Sequence, residues 1–105
     1  MRIYEPDRWL VVELTDGQEA YKKVFSGNYG GYTGSDTWKL SSAINETTET
    51  DEFFEFKCES GSTYRCHKQS YGMSGYMSSI YSSWEAESGK GQSGVTIKIV
   101  EGLVK

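Results

Sequence analysis

The segment RWLVVEL, residues 8–14, is apolar almost throughout and predicts a β-strand. EAYKKVF, residues 19–25, predicts a second strand, and the TDGQ between them contains the Asp16-Gly17 pair that favours a tight hairpin turn. The hairpin could close through a two-residue turn at this pair or through a four-residue loop over residues 16–19. The two registers have the same parity, so both direct the same side chains to the same face. Either one places five apolar side chains on one face of the hairpin: Leu10, Val12, Leu14, Tyr21 and Phe25.

A second hairpin follows from FFEFKC, residues 53–58, and STYRCHK, residues 62–68, which both alternate with the period of a strand. Matching their apolar faces leaves a three-residue loop ending in Gly61, where a left-handed backbone favours glycine. The same register brings opposite charges together on the outer face. The predicted pairs are Cys58 with Ser62, Phe56 with Tyr64, Phe54 with Cys66, Glu55 with Arg65, and Phe53 with His67.

The remaining elements complete a mainly β chain. TWKLSSAI, residues 37–44, predicts a third strand that the following NETTET could extend, and VTIKIV, residues 95–100, predicts a closing strand. Between them the period changes to that of an amphipathic helix over about 73–85, followed by a flexible loop over 85–94. The apolar stripe of that helix consists of Met73, Met77, Ile80, Tyr81 and Trp84.

These elements predict an α+β fold, mainly β, with one antiparallel sheet of five or six strands and one helix laid across it. An open sheet, a strongly curled sheet and a barrel-like sheet remain as alternatives. Because the chain has only 105 residues, it is too short for two independent cores, and we expect residues 1–105 to form a single domain.

Charge and hydropathy exclude several classes of protein. The net charge of −4 and the pI near 5.0 argue against a duplex nucleic acid as partner, because phosphate binding requires a basic surface. No apolar run approaches the roughly 20 residues of a membrane helix, and no apolar signal region follows Met1. We therefore expect no membrane contact and a location in a cytoplasm.

The two cysteines, Cys58 and Cys66, share a face of the second hairpin but face different partners, four residues or about 13 Å apart. A disulfide requires Cα atoms within about 7 Å, so we predict two free, buried thiols in a reducing compartment. One histidine and two separated cysteines do not supply a zinc-binding spacing. We expect neither a metal nor a cofactor.

His67 is the only histidine, and Arg65 and Lys68 lie beside it. It could act as a general base or contact a phosphate. The alternative is a polar side chain on the solvent face of its strand, packed on Phe53. We favour this alternative because the sequence offers no catalytic partner and no motif of hydrolases, kinases or metalloproteases. The protein is therefore not expected to be an enzyme.

Two segments rich in glycine and tyrosine, residues 27–34 and 71–76, together contain half of the glycines and half of the tyrosines. Glycine lets a backbone approach a ligand closely, whereas tyrosine offers a stacking plane with a polar tip. With Ser74 as N-cap, the first amides of the predicted helix would point at an anion. The predicted ligand-binding residues are Tyr29, Tyr32, Arg65, Lys68, Tyr71, Ser74, Gly75 and Tyr76.

A structural role is the alternative for these segments. In that case the four tyrosines cover the rim of the sheet, and the glycines form turns.

Two longer strings, YKKVFSGNYGGYTGSDTWKLSSAI at 21–44 and SGSTYRCHKQSYGM at 60–73, resemble a family of small proteins encoded by tailed bacteriophages. The likeness covers residues 9–84. It implies synthesis in the cytoplasm of an infected bacterium. Small accessory phage proteins often bind and disable host machinery, frequently host defence, and the resemblance implies the same role here.

Together, these observations predict a non-enzymatic binding protein that sequesters a small anionic, nucleotide-like signal molecule of the host. Because a chain of this size offers only a shallow site, we expect a homo-oligomer that closes the site between subunits. The first alternative is a protein–protein inhibitor of a host enzyme or defence protein, with the acidic residues 46–52 beside the tyrosines. The second alternative is a small phosphodiester hydrolase that uses His67.

Overall fold

The computed structural model describes residues 2–30, 36–87 and 95–103. This part of the chain contains eight β-strands, a short 3₁₀ helix at Lys68–Ser70 and one α-helix. The strands are β1 (Arg2–Tyr4), β2 (Arg8–Asp16), β3 (Glu19–Asn28), β4 (Thr37–Leu40), β5 (Ile44–Glu49), β6 (Phe53–Cys58), β7 (Ser62–His67) and β8 (Thr96–Ile99), and the helix is α1 (Gly75–Glu87).

The strands form two four-stranded sheets. The first sheet has the order β1-β7-β6-β5, and the second has the order β4-β3-β2-β8. Neighbouring strands are antiparallel except for β1 and β7, which pair in parallel. The predicted mainly β class with one helix is confirmed. The prediction of one sheet with five or six strands is wrong, and the described strands do not close into a barrel.

Strand β2 lies between two cores because both of its faces are apolar. Trp9 and Val11 pack against the first sheet, whereas Leu10 and Val12 pack against α1. The second sheet is thus the middle of three layers. We call the two cores the inter-sheet core (Trp9, Val11, Val24, Phe54, Phe56, Cys58, Tyr64 and Cys66) and the helix-side core (Leu10, Val12, Phe25, Met77 and Tyr81).

The β2–β3 hairpin has the predicted parity, with Leu10 opposite Phe25 and Leu14 opposite Tyr21. Its register is that of the longer predicted loop, closed by one further pair between Asp16 and Glu19. The turn therefore consists of residues 17–18 rather than 16–17. Gly17 has a φ of 64°, which is the left-handed conformation such a turn requires.

The β6–β7 hairpin is confirmed in its predicted register, from Phe53 opposite His67 to Phe56 opposite Tyr64. Gly61 has a φ of 92°, and its N–H donates to the carbonyl of Cys58 at 3.0 Å. The alternation of apolar residues was sufficient to predict this register, because both strands and the turn lie within one short segment.

The predicted third strand is in fact two strands in different sheets. β4 pairs with β3 in the second sheet, and β5 pairs with β6 in the first. Ser41 marks the break: its N–H donates to the Val24 carbonyl at 2.9 Å, and its Oγ accepts from the Val24 N–H at 2.8 Å. These bonds extend the β3–β4 ladder by one residue, and the chain then leaves for the other sheet.

Helix α1 presents four residues of the predicted stripe to the helix-side core. It begins and ends two residues later than predicted, so Met73 packs against the same core from just before the helix. Of the predicted loop over 85–94, residues 88–94 lie outside the described part of the chain. β8 confirms the closing strand over a shorter range. Cys58 and Cys66 are both free and buried, as predicted. Within the described ranges, no helix has the length and apolar character needed to cross a membrane.

Candidate functional site

The two glycine- and tyrosine-rich segments flank the same end of β2. On one side, Gly27 of β3 pairs with Arg8. On the other side, Tyr71 forms a parallel bridge with Trp9, whose carbonyl accepts from the Gly72 N–H at 2.8 Å. One strand separates the two segments, which corresponds to about 10 Å. The structure therefore brings the described parts of both segments together, whereas the predicted site residue Tyr32 lies outside the described residues.

Helix α1 begins over this end of the second sheet. A Cβ added to Gly27 would lie 2.5 Å from Met77 Sδ, so the first turn of the helix packs directly on the backbone of β3. The absence of a side chain at Gly27 permits this approach. Arg8 lies opposite Gly27 on the neighbouring strand, and Tyr29 follows Gly27 by two residues. Arg8 and Tyr29 therefore both belong to the sheet face that α1 covers.

Arg8 is the cation of this region, although the sequence did not single it out. Its Nε donates to Tyr29 Oη at 2.9 Å. In the described ranges no carboxylate lies within ion-pair distance of its guanidinium. One of the two predicted hairpin registers, that of the four-residue loop, already contained the signal, because pairing Leu10 with Phe25 also pairs Arg8 with Gly27.

Two carboxylates order the same segment through backbone amides. Asp7 Oδ2 accepts from the Tyr29 N–H at 2.9 Å, and Asp36 Oδ1 accepts from the Gly30 N–H at 2.9 Å. These bonds fix the chain that carries Tyr29. They also place negative charge near Arg8, so the region is not uniformly basic.

The N-terminus of α1 offers amides that no helical carbonyl can use. The predicted N-cap is confirmed: Ser74 Oγ accepts from the Met77 N–H at 3.2 Å. The amides of Gly75 and Tyr76 precede the intrahelical ladder, and the first turn contains no acidic residue. Gly75 is exposed, with open space around it. This end of the helix can therefore stabilise a negative charge.

Three large aromatic side chains are exposed on the elements that meet here: Tyr29, directly after β3, at 51%, Trp38 on β4 at 39%, and Tyr76 in the first turn of α1 at 41%. Trp38 lies opposite Gly27 on β4, and its ring centroid is 5.1 Å from that of Trp84 on α1. The sequence did not identify Trp38 as a site residue. We call the group of Arg8, Tyr29, Trp38, Gly75 and Tyr76 the helix-start cluster.

Tyr71, a predicted ligand-binding residue, packs against the protein core. Its ring is half-buried and packs edge-on against Trp9 with a centroid separation of 5.0 Å, in contact with both cores. Burial, followed by the nearby charge of Glu101, raises the pKa of Tyr71. Because one face of this ring is occupied by the core, Tyr71 is less suited to stack on a ligand than the three exposed aromatics.

Arg65 does not reach the helix-start cluster. It lies on the outer face of the first sheet, where its Nε is 2.8 Å from Glu55 Oε2 and its guanidinium lies over the Phe53 ring at 5.3 Å. Helix α1 lies beyond the second sheet, and packed sheets are about 10 Å apart. The two sheets therefore separate Arg65 from the amides that it was expected to assist.

Lys68 is also directed elsewhere. Its Nζ lies 2.6 Å from Glu49 Oε2 and 5.2 Å from the centre of the Phe54 ring. It lines a polar cavity of about 410 Å³ together with Asp51, Glu52, His67, Gln69 and Ser70. The sequence expectation that Lys68 holds phosphate beside the helix start gains no support from this placement.

His67 has the predicted position on the outer face of β7, with its ring 5.7 Å from Phe53 in an edge-on arrangement. Its Nε2 lies 3.0 Å from Glu5 Oε1, and this hydrogen bond lowers the pKa of Glu5. The hydrolase alternative stays a prediction.

The buried thiols offer no reactive nucleophile. Burial raises the pKa of both Cys58 and Cys66, so each stays protonated at neutral pH. Over the described ranges, no three histidine, cysteine, aspartate or glutamate side chains lie close enough together to hold a metal ion.

Comparison with protein-family models, with curated proteins and with solved structures found no match to this chain. The resemblance to phage proteins therefore stays a prediction, and the functional argument depends on the geometry of the site.

Proposed function

We propose that this protein is a non-enzymatic binding protein whose helix-start cluster binds a small anionic ligand with a planar ring, of the nucleotide class. The main support is that Arg8 and three exposed aromatic side chains lie on the elements that adjoin the first turn of α1 at one end of the second sheet. These groups come from β2, the residue directly after β3, β4 and α1, and therefore from distant parts of the sequence.

Each part of the cluster has a chemical role in this proposal. The guanidinium of Arg8 and the amides of Gly75 and Tyr76 bind the phosphate, because charge-assisted hydrogen bonds and the positive end of a helix both favour an anion. The exposed rings of Tyr29, Trp38 and Tyr76 stack on the base. The cluster contains no general base, so the ligand is held rather than transformed.

The biological context remains part of the proposal. In an infected bacterium, a protein of this kind would sequester a nucleotide signal of host defence, as the resemblance to phage proteins implies. Because the cluster lies at the surface, a second copy of the chain would close the site. Light scattering coupled to size-exclusion chromatography, with and without ligand, measures that assembly.

Isothermal titration against a panel of cyclic nucleotides and ADP-ribose derivatives tests the binding. We expect one class to bind, and Arg8→Gln to weaken it at least about tenfold through loss of a charged hydrogen bond. Lys57→Gln is the matched control, because Lys57 is exposed on the first sheet, where its Nζ lies 3.5 Å from Glu46 Oε2. No binding by any member of the panel, or equal losses in the two variants, would contradict the proposal.

A protein partner is the second candidate, and the same exposed aromatics favour it, because tyrosine and tryptophan are common anchors of interfaces. A pull-down from bacterial lysate distinguishes between these two candidate functions. A stoichiometric protein that is lost with Trp38→Ala supports the inhibitor, whereas a co-purifying compound absorbing at about 260 nm, where nucleobases absorb, supports the nucleotide.

A further inference from the structure

A second cavity lies between the two sheets, away from the helix-start cluster. Its volume is about 350 Å³, within the range of small-molecule sites. Val11 of β2 and Phe56 of β6 form its buried base, and both belong to the inter-sheet core. Ile44, Val100 and Leu103 form half-buried walls. The interior of the cavity is therefore apolar.

The rim of this cavity is polar. Lys22, Asn45 and Thr47 line it, and all three are exposed. The cavity thus changes from a buried apolar base to an exposed polar rim over the length of one small molecule. A ligand that fits this gradient has an apolar body and a polar head.

Lys22 determines that the polar head of the ligand carries a negative charge. It lies on β3 two residues before Val24, so its side chain is on the sheet face that lines the inter-sheet core. Glu13 lies opposite Lys22 but forms its ion pair with Lys98, at 3.3 Å. No carboxylate among the described residues lies within ion-pair distance of the Lys22 ammonium.

We propose that the inter-sheet cavity binds a small amphipathic acid, with the hydrocarbon body against Val11 and Phe56 and the carboxylate at Lys22. Charge complementarity selects an acid over an alcohol or an amine of the same length. Asn45 and Thr47 supply further hydrogen-bond donors at the rim. This site is independent of the proposed nucleotide site, because it lies on the opposite face of the second sheet.

Titration with straight-chain carboxylates from butanoate to octanoate, followed by calorimetry and by amide chemical shifts, tests the cavity. Affinity is expected to rise about fourfold per methylene, because each one leaves water for the apolar base. Octanol and octylamine are expected to bind at least tenfold more weakly than octanoate. The largest shifts are expected at Val11, Ile44 and Val100.

Two matched variants distinguish the role of Lys22 from a general effect of charge. Lys22→Gln is expected to weaken octanoate binding about tenfold, whereas Lys23→Gln, on the other face of the same strand, leaves it unchanged. Leu103→Trp fills the cavity from the C-terminal segment and is expected to abolish binding without loss of the folded state.

Several outcomes would overturn the assignment: no octanoate binding at millimolar concentration, equal affinity for octanoate and octylamine, equal effects of the two lysine variants, or full binding by Leu103→Trp. Arg8→Gln is expected to retain octanoate binding. A loss in that variant would instead place the acid at the helix-start cluster.

Discussion

Burial in the inter-sheet core changes the pKa of individual side chains. Tyr64 and Cys66 point inward from β7, where 3% and 0% of their surface is exposed. Burial raises the pKa of Tyr64 to about 12 and also raises the pKa of Cys66, because the low-dielectric core disfavours their charged forms. Both groups remain neutral over the physiological range.

This burial predicts a loss of stability at alkaline pH. The pKa values are higher in the folded than in the unfolded state, so the stabilisation is complete below the ordinary pKa of about 9 for a thiol and 10 for tyrosine, and decreases as pH rises towards 12. Urea unfolding at about pH 8 and about pH 11 measures the difference. The double variant Tyr64→Phe, Cys66→Ala is expected to lose less stability over this interval; an equal loss would contradict the explanation.

At the scale of elements, the approach of α1 to β3 determines the geometry of the helix-start cluster. Met77 is fully buried and lies on the backbone of Gly27. Ser74, as N-cap, fixes where the helix begins, directly before the two amides that the proposal uses. The position of the proposed anion site therefore depends on one glycine in β3 as much as on the helix itself.

Gly27→Ala is expected to lower the free energy of unfolding by about 1–3 kcal/mol, because the added methyl would overlap a fully buried methionine in a filled core. It should also displace the first turn of α1 and lower the affinity of the helix-start cluster for its ligand. Gly75→Ala is the matched control, since open space surrounds that position. Urea denaturation of both variants measures the effect, and equal midpoints would show that α1 does not pack as closely as described.

At the scale of the whole molecule, β2 joins the three layers. Adjacent residues on this strand belong to different cores: Val11 to the inter-sheet core and Val12 to the helix-side core. Truncating either side chain therefore leaves a cavity in a different layer. Because the strand is common to both cores, damage to one is transmitted to the other.

Val11→Ala and Val12→Ala are each expected to destabilise the protein by about 1–3 kcal/mol and to leave a single unfolding transition. Tryptophan fluorescence and far-ultraviolet circular dichroism should give the same midpoint in each variant. Leu14→Ala, farther along the strand and only half-buried, is the control and should cost less. Loss of helix signal before the sheets unfold in Val12→Ala would mean that the layers are not coupled.

The resulting arrangement explains which residues of the helix-start cluster, the proposed site, could be predicted. Tyr29, Ser74, Gly75 and Tyr76 were identified because glycine, tyrosine and an N-cap serine have local signals. Arg65 was grouped with them because it is close in the sequence, yet the two sheets lie between. Arg8 and Trp38 were missed because each reaches the cluster only through strand pairing with Gly27.

The sequence by itself determined most of the strands, the parity of the first hairpin, the register of the second, the apolar stripe of the helix and the burial of the two thiols. All of these depend on contacts between residues close along the chain, where side-chain period and turn chemistry specify the pairing. Only the tertiary structure decided that Trp9 and Val11 face a second sheet, that the chain changes sheets at Ser41, and that β1 pairs with β7. An alternating pattern shows that a face must be buried, but the partner across that face is chosen by packing between distant segments, and no local period encodes that choice.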